Sequence, residues 1–300
     1  MIIEKCKENM KQRSIKSILL FCALILASYS LITTFDTKTK WTITQHGWWD
    51  GPQLTFYTIS SDDYLIVIDG GWRDTADKVR EVITQYGGVV DIWIITHPHL
   101  DHVGAFLEIY TNPGPLQINS VYYGNFADIE AVIRSDDVIE EFHDFEELLI
   151  QTSFNRLYTG DEFTFSGLTF DVISTYGSHV YNMPRVLNNG SLMFMLRGRE
   201  NTMLFCADVS NPMEKWLIDN IGEKLRADFI QLGHHGNGSS TLGSEFLTLV
   251  NPKVAFFDAP QWLFDDPDGT FRMEWIRNFM EDNGIAYYNF MTAPNSISFY

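Results

Sequence analysis

Basic side chains are scarce in this chain of 300 residues: 21 Lys+Arg stand against 39 Asp+Glu, a formal charge of −18. Such a surface repels nucleic-acid phosphates and favours solubility or cationic partners. Cysteine is scarcer, with three. Cys6 and Cys22 lie near the amino terminus, which leaves Cys206 alone in the remainder and excludes an internal disulfide there. Stability must then come from an apolar core, which a chain of this length can bury. There is no Gly-x-Ser-x-Gly elbow, so the strained serine nucleophile of an α/β-hydrolase is excluded. Low-complexity stretches and short repeats are absent as well.

The amino terminus reads apart from the rest. Lys5, Lys7, Lys11, Arg13 and Lys16 form a basic segment ahead of the apolar run 18–32. That run falls short of the about 20 residues a bilayer span needs, and its length suits the apolar region of a secretory signal. Ser28 and Ser30 supply small residues three and one before a cleavage point. Residues 1–30 are thus expected to be a signal peptide or an uncleaved membrane signal anchor. Removing them takes away five basic and two acidic side chains and leaves a formal charge of −21. Cys22 follows Phe21, a poor fit to a lipoprotein cleavage site.

The most informative stretch is Thr96-His97-Pro98-His99-Leu100-Asp101-His102, which holds three of the eight histidines and one carboxylate. Neutral imidazole and carboxylate are the ligands zinc takes in hydrolytic sites, where one position stays open for water. Ile92-Trp93-Ile94-Ile95 reads as a buried parallel strand, and Val103 to Leu107 opens a helix. The histidines therefore fall on a tight loop at the carboxyl end of a strand, where open α/β sheets place their chemistry.

Around this loop strands and helices alternate. Leu54–Ile59 and Tyr64–Ile68 predict a hairpin, and Asp74–Tyr86 an amphipathic helix stopped by Gly87-Gly88. Ile118–Tyr123 predicts a strand, and the acidic stretch Asp136–Gln151 one helix with Phe142, Phe145 and Leu149 on its apolar face. A second half follows, with strands at 162–165, 168–173, 191–197, 202–206, 229–232, 254–257 and 286–288, and helices at 212–221, 244–250 and 272–282. No linker interrupts residues 42–300, which are expected to form one catalytic domain of α/β class.

The stretch 97–102 resembles the HxHxDH signature of the metallo-β-lactamase superfamily. Ile66–Gly71 is similar to that family's strand ending in Asp-x-Gly. Leu204–Asp208 resembles its bridging-aspartate strand, and Ala227–Gly236 its last histidine motif. Asn188-Asn189-Gly190-Ser191-Leu192 resembles a subgroup that includes the hydrolase domain of bacterial competence DNA-uptake channels and secreted phosphorylcholine esterases. The resemblance implies a four-layer αββα sandwich and a dinuclear zinc centre, with manganese as the alternative metal. It implies that His97 and His99 hold the first ion, and that Asp101, His102 and one of His234 and His235, preferably His235, hold the second. Asp208 would bridge the two ions, and Asp69 would orient a histidine ligand. Asp101 and His234 are the residues expected to act in catalysis, His234 by touching the oxyanion or leaving group.

Two departures stand out. Where many relatives supply a third histidine to the first ion, this chain has Asn188-Asn189, with His179 upstream as another candidate. The usual Thr-Gly before the bridging aspartate is Cys206-Ala207, and Cys206 is expected to be a packed apolar residue. His46 and His143 have no motif around them and are read as structural. Trp48, Trp49, Trp262 and Phe264 are loop aromatics that either wall the cleft or pack. The expected reaction is metal-assisted hydrolysis of a phosphodiester, in a small molecule or an envelope polymer, with a lactone or other ester hydrolase as the alternative. A nuclease is disfavoured by charge, and a binding module without catalysis ranks last. No obligate protein partner is evident, and membrane contact is expected only through the amino-terminal segment.

The leader generates a prediction of its own. On fractionation of a bacterial host, the catalytic domain should be found secreted or membrane-anchored outside the cytoplasm; full-length chain with an intact amino terminus in the cytosol would refute the leader assignment.

Overall fold

A computed structural model describes residues 39–300 apart from positions 136, 138, 140, 241 and 242. The basic and apolar segment 1–30 lies outside the described residues. The first half runs β1 (Trp41–Gln45), β2 (Phe56–Ser60), β3 (Leu65–Asp69), α1 (Ala76–Gln85), β4 (Val89–Val90), β5 (Ile92–Ile95), α2 (Leu100–Thr111), β6 (Gln117–Ile118), β7 (Val121–Gly124), α3 (Ile129–Arg134), α4 (Phe142–Gln151) and β8 (Asn155–Leu157). The second runs β9 (Glu162–Phe165), β10 (Leu168–Ser174), α5 (Val186–Asn189), β11 (Met193–Arg197), β12 (Thr202–Phe205), α6 (Asn211–Asn220), β13 (Phe229–Gln231), α7 (Ser244–Val250), β14 (Val254–Phe256), α8 (Gln261–Asp265), α9 (Met273–Asp282), β15 (Ala286–Tyr288) and β16 (Asn295–Phe299).

Two seven-stranded sheets result, in the orders β16-β1-β2-β3-β5-β7-β8 and β15-β14-β13-β12-β11-β10-β9. Each is antiparallel over one run of strands and parallel over the other. The switch comes after β3 in the first sheet and after β12 in the second. The halves therefore repeat one plan, and the loops after β3, β5, β12 and β13 occupy equivalent places in it. Parallel neighbours need crossover connections, which here carry the helices.

Strand alternation builds the layers. Along β3, Ile66 and Ile68 face the other sheet while Leu65 and Val67 face helices; along β12, Met203 and Phe205 face inward and Leu204 outward. Three apolar clusters follow: one between the sheets, one between the first sheet and its helices, and one between the second sheet and its helices. Three interlayer cores mean four layers, α/β/β/α.

The structure departs from the sequence reading at several places. Helix α2 starts at Leu100 rather than Val103, because His99 is extended and serves as its N-cap position. Asp101 and His102 therefore ride on the first helical turn, where a carboxylate also faces the positive end of the helix dipole. The acidic helix expected over 136–151 is shorter: α4 covers Phe142–Gln151, and a separate helix not expected from the sequence, α3 at Ile129–Arg134, precedes it. Strands β1, β8 and β16 were not anticipated. β1 and β16 pair antiparallel with Trp41 opposite Phe299, a contact that local patterning cannot reveal.

The core between the sheets is dense in aromatics, with Phe194 stacked on Phe205 at 4.8 Å between centroids. Phe194→Ala should cost about 3–5 kcal/mol of stability through lost burial and the cavity left behind. Ile133→Ala, at a side chain that is 65% exposed, should stay within about 0.5 kcal/mol. Denaturant unfolding of the two variants measures the difference; equal costs would place Phe194 outside a packed core.

Candidate metal centre

Four loops converge at the carboxyl ends of β3, β5, β12 and β13. They bring together Asp69, His97, His99, Asp101, His102, Asp208, His234 and His235. All but His234 are buried, and His234 is half-buried. The backbone is strained there: among the nine described non-glycine residues with positive φ, Asp69, Ala207, His234 and His235 lie in these loops. Such conformations cost of order 1–3 kcal/mol each and persist where the surroundings over-determine them. Gly233 and Gly236 flank the two histidines because nothing larger fits. A Cβ on Gly233 would sit 2.6 Å from the Val209 carbonyl oxygen, and one on Gly236 2.4 Å from the Phe257 ring.

The polar atoms converge in pairs. His97 Nε2 and His99 Nδ1 are 3.1 Å apart. His102 Nε2 lies 3.1 Å from Asp208 Oδ1, and His235 Nε2 lies 3.1 Å from Asp101 Oδ2. His97 Nε2 and His235 Nε2 lie 3.8 and 3.7 Å from Asp208 Oδ2. Two ligands of one tetrahedral zinc stand about 3.3 Å apart, given zinc–ligand distances of about 2.0–2.1 Å, so all three short pairs have the spacing of atoms sharing an ion. His102 Nε2, Asp208 Oδ1 and His235 Nε2 are also buried without an aligned hydrogen-bond partner, and buried polar groups left so need an explanation. Two groups of side chains could each hold a cation, His97 with His102 and Asp208, and Asp101 with His102 and His235. The residues present fit a metal centre.

Electrostatics reinforce that fit. Burial, helped by the neighbouring His102 and His99, holds His97 well below the ordinary histidine range, as the neutral imidazole a metal requires. Burial also lowers His102 and His235, but the facing carboxylates outweigh it and raise both. Asp208 and Asp101 are held below the carboxylate range: burial opposes this, and the surrounding histidines prevail.

Outer contacts orient these groups. Asp69 Oδ2 accepts from His102 Nδ1 at 2.8 Å and from the Thr96 hydroxyl at 2.6 Å, and its Oδ1 accepts from the Thr96 amide at 2.8 Å. A carboxylate behind a histidine fixes which nitrogen is free. Asp137 does the same for His99, accepting from its Nε2 at 3.0 Å while its other oxygen takes the Leu187 amide at 2.7 Å. Gln53 donates to Asp101 at 3.1 Å. His234 Nδ1 is 2.6 Å from the Ser240 hydroxyl, and burial lowers its pKa.

The candidates for completing the first site now separate. Asn189 is fully engaged, accepting from the amide and hydroxyl of Ser210 and donating to Pro184. Asn188 Oδ1 is buried and has no hydrogen-bond partner, and the side chain lines the same cleft as His99 and Asp208. His179 is not brought to the centre: it bonds the Ser174 hydroxyl at 3.0 Å and stacks on Trp216. Asp208 caps no helix, since Ser210 holds the N-cap position of α6. Cys206 is fully buried, and burial raises its thiol far above the ordinary value, which keeps it protonated. His46 is buried against Thr58, and burial lowers it to about 4; His143 is exposed on α4.

Of the two roles open to the four loop aromatics, packing or surface exposure is the one they take. Trp48 lies under the Lys78 ammonium in a separate hollow, and Phe264 packs on Phe257 and Tyr287. Trp49 and Trp262 are exposed, and Trp262 donates to the Gly51 carbonyl. The aromatics that line the cleft are Trp72 and Phe271. Together with Asp137, Gln53 and Ser240 they were missed by the sequence reading, and no local pattern marks them.

The Asp69 contact yields a direct test. Asp69→Asn should weaken metal binding by about 10–100-fold, the usual effect of losing such an outer carboxylate, while the fold survives. Competition with a chelator measures it; unchanged affinity would remove Asp69 from the centre.

Comparison with known proteins agrees with this architecture. Residues 49–149 match the metallo-beta-lactamase superfamily, a span that includes the whole histidine loop. The ComE operon protein 3 of Bacillus subtilis is 25% identical over 170 residues, 57% of this chain and 20% of that protein. Recombination protein 2 of Haemophilus influenzae is 24% identical over 206 residues, 66% of this chain and 22% of that protein. The chain thus spans about a fifth of the length of these relatives. Among solved structures, the metallo-beta-lactamase fold protein YhfI from Bacillus subtilis superposes with a TM-score of 0.54 at 13% identity, covering 87% of this chain and all of that one. CmlA, a diiron beta-hydroxylase from Streptomyces venezuelae, gives 0.53 at 13% identity, covering 87% of this chain and 54% of its own. One fold thus accompanies more than one chemistry, and these likenesses carry the architecture alone. The motif loop lies inside the segment that matches the metallo-beta-lactamase superfamily, and the two-sheet plan of the whole domain is that of the metallo-β-lactamase fold.

Proposed function

We propose that this chain is a phosphodiesterase with a dinuclear metal centre, zinc by preference and manganese as the alternative, acting outside the cytoplasm on a small or envelope-borne phosphoester. The observation that carries the dinuclear reading is the set of three ligand-type pairs at 3.1 Å around Asp208 and Asp101. In this reading His97 and His99 would hold the first ion, with Asn188 as the candidate to complete its site. Asp101, His102 and His235 would hold the second, and Asp208 would serve both. Either cation, when bound, acts as a Lewis acid and acidifies a water towards about pKa 7.

The chain's own groups do the rest. Asp101 is kept ionised and is steadied by Gln53. His234 lines the cleft with its ring fixed by Ser240, and its lowered pKa keeps it neutral at pH 7, so it can meet the departing or developing oxyanion. The water oxygen forms the new bond to phosphorus, the bond to the leaving oxygen breaks, and that oxygen takes up the water's proton. The products are a phosphomonoester and an alcohol. Supporting a phosphate substrate is the resemblance of the Asn188–Leu192 motif to the subgroup that includes phosphorylcholine esterases. The name of Recombination protein 2 gives a second reading, a nucleic-acid substrate, which the formal charge of −18 opposes.

Metal content and turnover separate the roles. Asp208→Ala and His235→Ala should each lose at least one metal ion, whereas His234→Ala should keep both and lose turnover by about 100-fold or more, as for one acid–base group. Elemental analysis beside kcat/KM on a bis-aryl phosphate, a phosphorylcholine ester, a lactone and single-stranded DNA is the measurement. Unchanged metal in Asp208→Ala would refute the bridging role. Activity on lactones alone would remove phosphate chemistry, and rapid DNA cleavage with inert small esters would favour the nuclease.

A further inference from the structure

The centre opens into two adjoining lobes. One, of about 310 Å³, is walled by Trp72, Asp101, Asp137 and Asp208. The other, of about 590 Å³, is walled by Pro184, Asn237, Ser239 and Phe271. Gln53, Arg185, Asn188 and His234 line both and mark where the lobes meet. Apart from histidine, Arg185 is the one basic side chain in either lining among the described residues.

Arg185 is placed there at a cost. Its φ is +46°, a left-handed conformation unusual for a residue with a side chain. Neighbouring contacts hold it. The Arg185 and Val186 amides donate to the carbonyl and hydroxyl of Ser135, and the Leu187 amide donates to Asp137, the residue that orients His99. The Arg185 carbonyl accepts from Asn189 at 2.9 Å. Despite an acidic surface, the guanidinium makes no hydrogen bond or ion pair among the described residues. It lines both lobes together with His234. Arg185 is exposed at the cleft junction, its backbone held in a strained conformation and its guanidinium without an ion pair to any described residue, which leaves it able to meet an anion that arrives with the substrate.

The lobes define what that anion belongs to. With Asp101 and Asp208 assigned to the cations, Asp137 is the carboxylate left to border the first lobe, beside the single guanidinium. A single guanidinium matches a single negative charge. The second lobe has an apolar side, Phe271 and Pro184, and neutral polar groups, and among the described residues its lining holds no Lys or Arg besides Arg185 for a further phosphate.

We propose that Arg185 is a specificity-determining residue. It pairs with the anionic non-bridging oxygen of a small phosphodiester whose two arms occupy the two lobes, which favours that substrate over phosphomonoesters, neutral esters and polynucleotides. This rests on the phosphodiesterase reading above. The arm in the larger lobe lies against Phe271 and is uncharged, of the size of an aryl or small polar group.

The test compares wild type with Arg185→Ala, Arg185→Gln and Arg185→Lys, each metal-loaded and checked for metal content and thermal unfolding. Substrates are bis(4-nitrophenyl) phosphate, 4-nitrophenyl phosphate and 4-nitrophenyl acetate. Removing a charge-assisted contact should lower kcat/KM on the diester about 10–100-fold, with acetate hydrolysis changed by less than about twofold and partial recovery in the lysine variant. Calorimetric binding of diphenyl phosphate should weaken in parallel. If Arg185→Ala fails to fold, the glutamine and lysine variants carry the comparison. A wild type that cleaves the diester while Arg185→Ala equals it, or loses acetate activity to the same degree, overturns the role of Arg185 and leaves the phosphodiesterase reading standing. Preference for the monoester overturns the two-armed substrate. Hydrolysis of acetate alone overturns both readings.

Discussion

Everything at the centre follows from burying carboxylates together. Asp69, Asp101 and Asp208 lie within one convergence of loops, and none is more than 8% exposed. Each buried ion carries a desolvation penalty of several kcal/mol unless partners replace the lost water. Asp69 is satisfied by Thr96 and His102. Asp101 and Asp208 have mainly imidazoles, set at ligand spacing rather than in hydrogen-bond alignment. The carboxylates are driven below their ordinary range and His102 and His235 above theirs. Those opposite movements express one demand, for positive charge at the point the side chains enclose. A divalent cation would meet it with more charge than a proton and with several ligands at once.

Holding strained loops around such a point needs a rigid floor, which a second buried carboxylate system provides. Asp258 is fully buried and accepts from Tyr57 at 2.6 Å, Gln45 at 2.8 Å, Thr55 at 3.0 Å and Gln231 at 3.1 Å. Burial pushes its pKa up, and the hydrogen bonds partly restrain it. Gln45 and Tyr57 belong to the first sheet and Gln231 to the second, so one carboxylate ties the sheets together beneath the metal loops. Gln231 then accepts the Cys206 and Ala207 amides at 2.9 and 2.7 Å, which fixes the turn that presents Asp208. Thr55 reaches the other side, its amide donating to the Asp101 carbonyl. Asp101 and Asp208 are thereby both referenced to one buried frame.

What could be read in the sequence depended on how local the information is. The histidine loop was legible because its ligand-type residues are contiguous and follow a strand. Asp208 and His235 stand far from it and became visible only through resemblance to a family. Asp137 and Arg185 were not legible. Asp137 comes from the connection between α3 and α4, whose sequence looked like a continuous acidic helix, and its role depends on meeting His99. Arg185 sits where only the tertiary contacts to Ser135 and Asp137 stabilise a left-handed residue. The same reason hid β1 and β16. Each is a short alternating stretch whose partner lies some 250 residues away, so pairing rather than propensity makes them strands.

The charge distribution finally bears on how substrate reaches the centre. An acidic exterior lowers the encounter rate of polyanions, since the field of the whole surface acts before any contact forms. That penalty grows with the charge of the approaching molecule and is screened beyond about 8 Å at physiological ionic strength. A singly charged diester therefore meets little of it, and within the screening distance encounters Arg185 and the cations the ligand set is built to hold. A polynucleotide meets it along its length and finds no basic track in the second lobe. Under the phosphodiesterase proposal, an acidic outside and a cation-binding point buried within would sort phosphoesters by size before any chemistry begins.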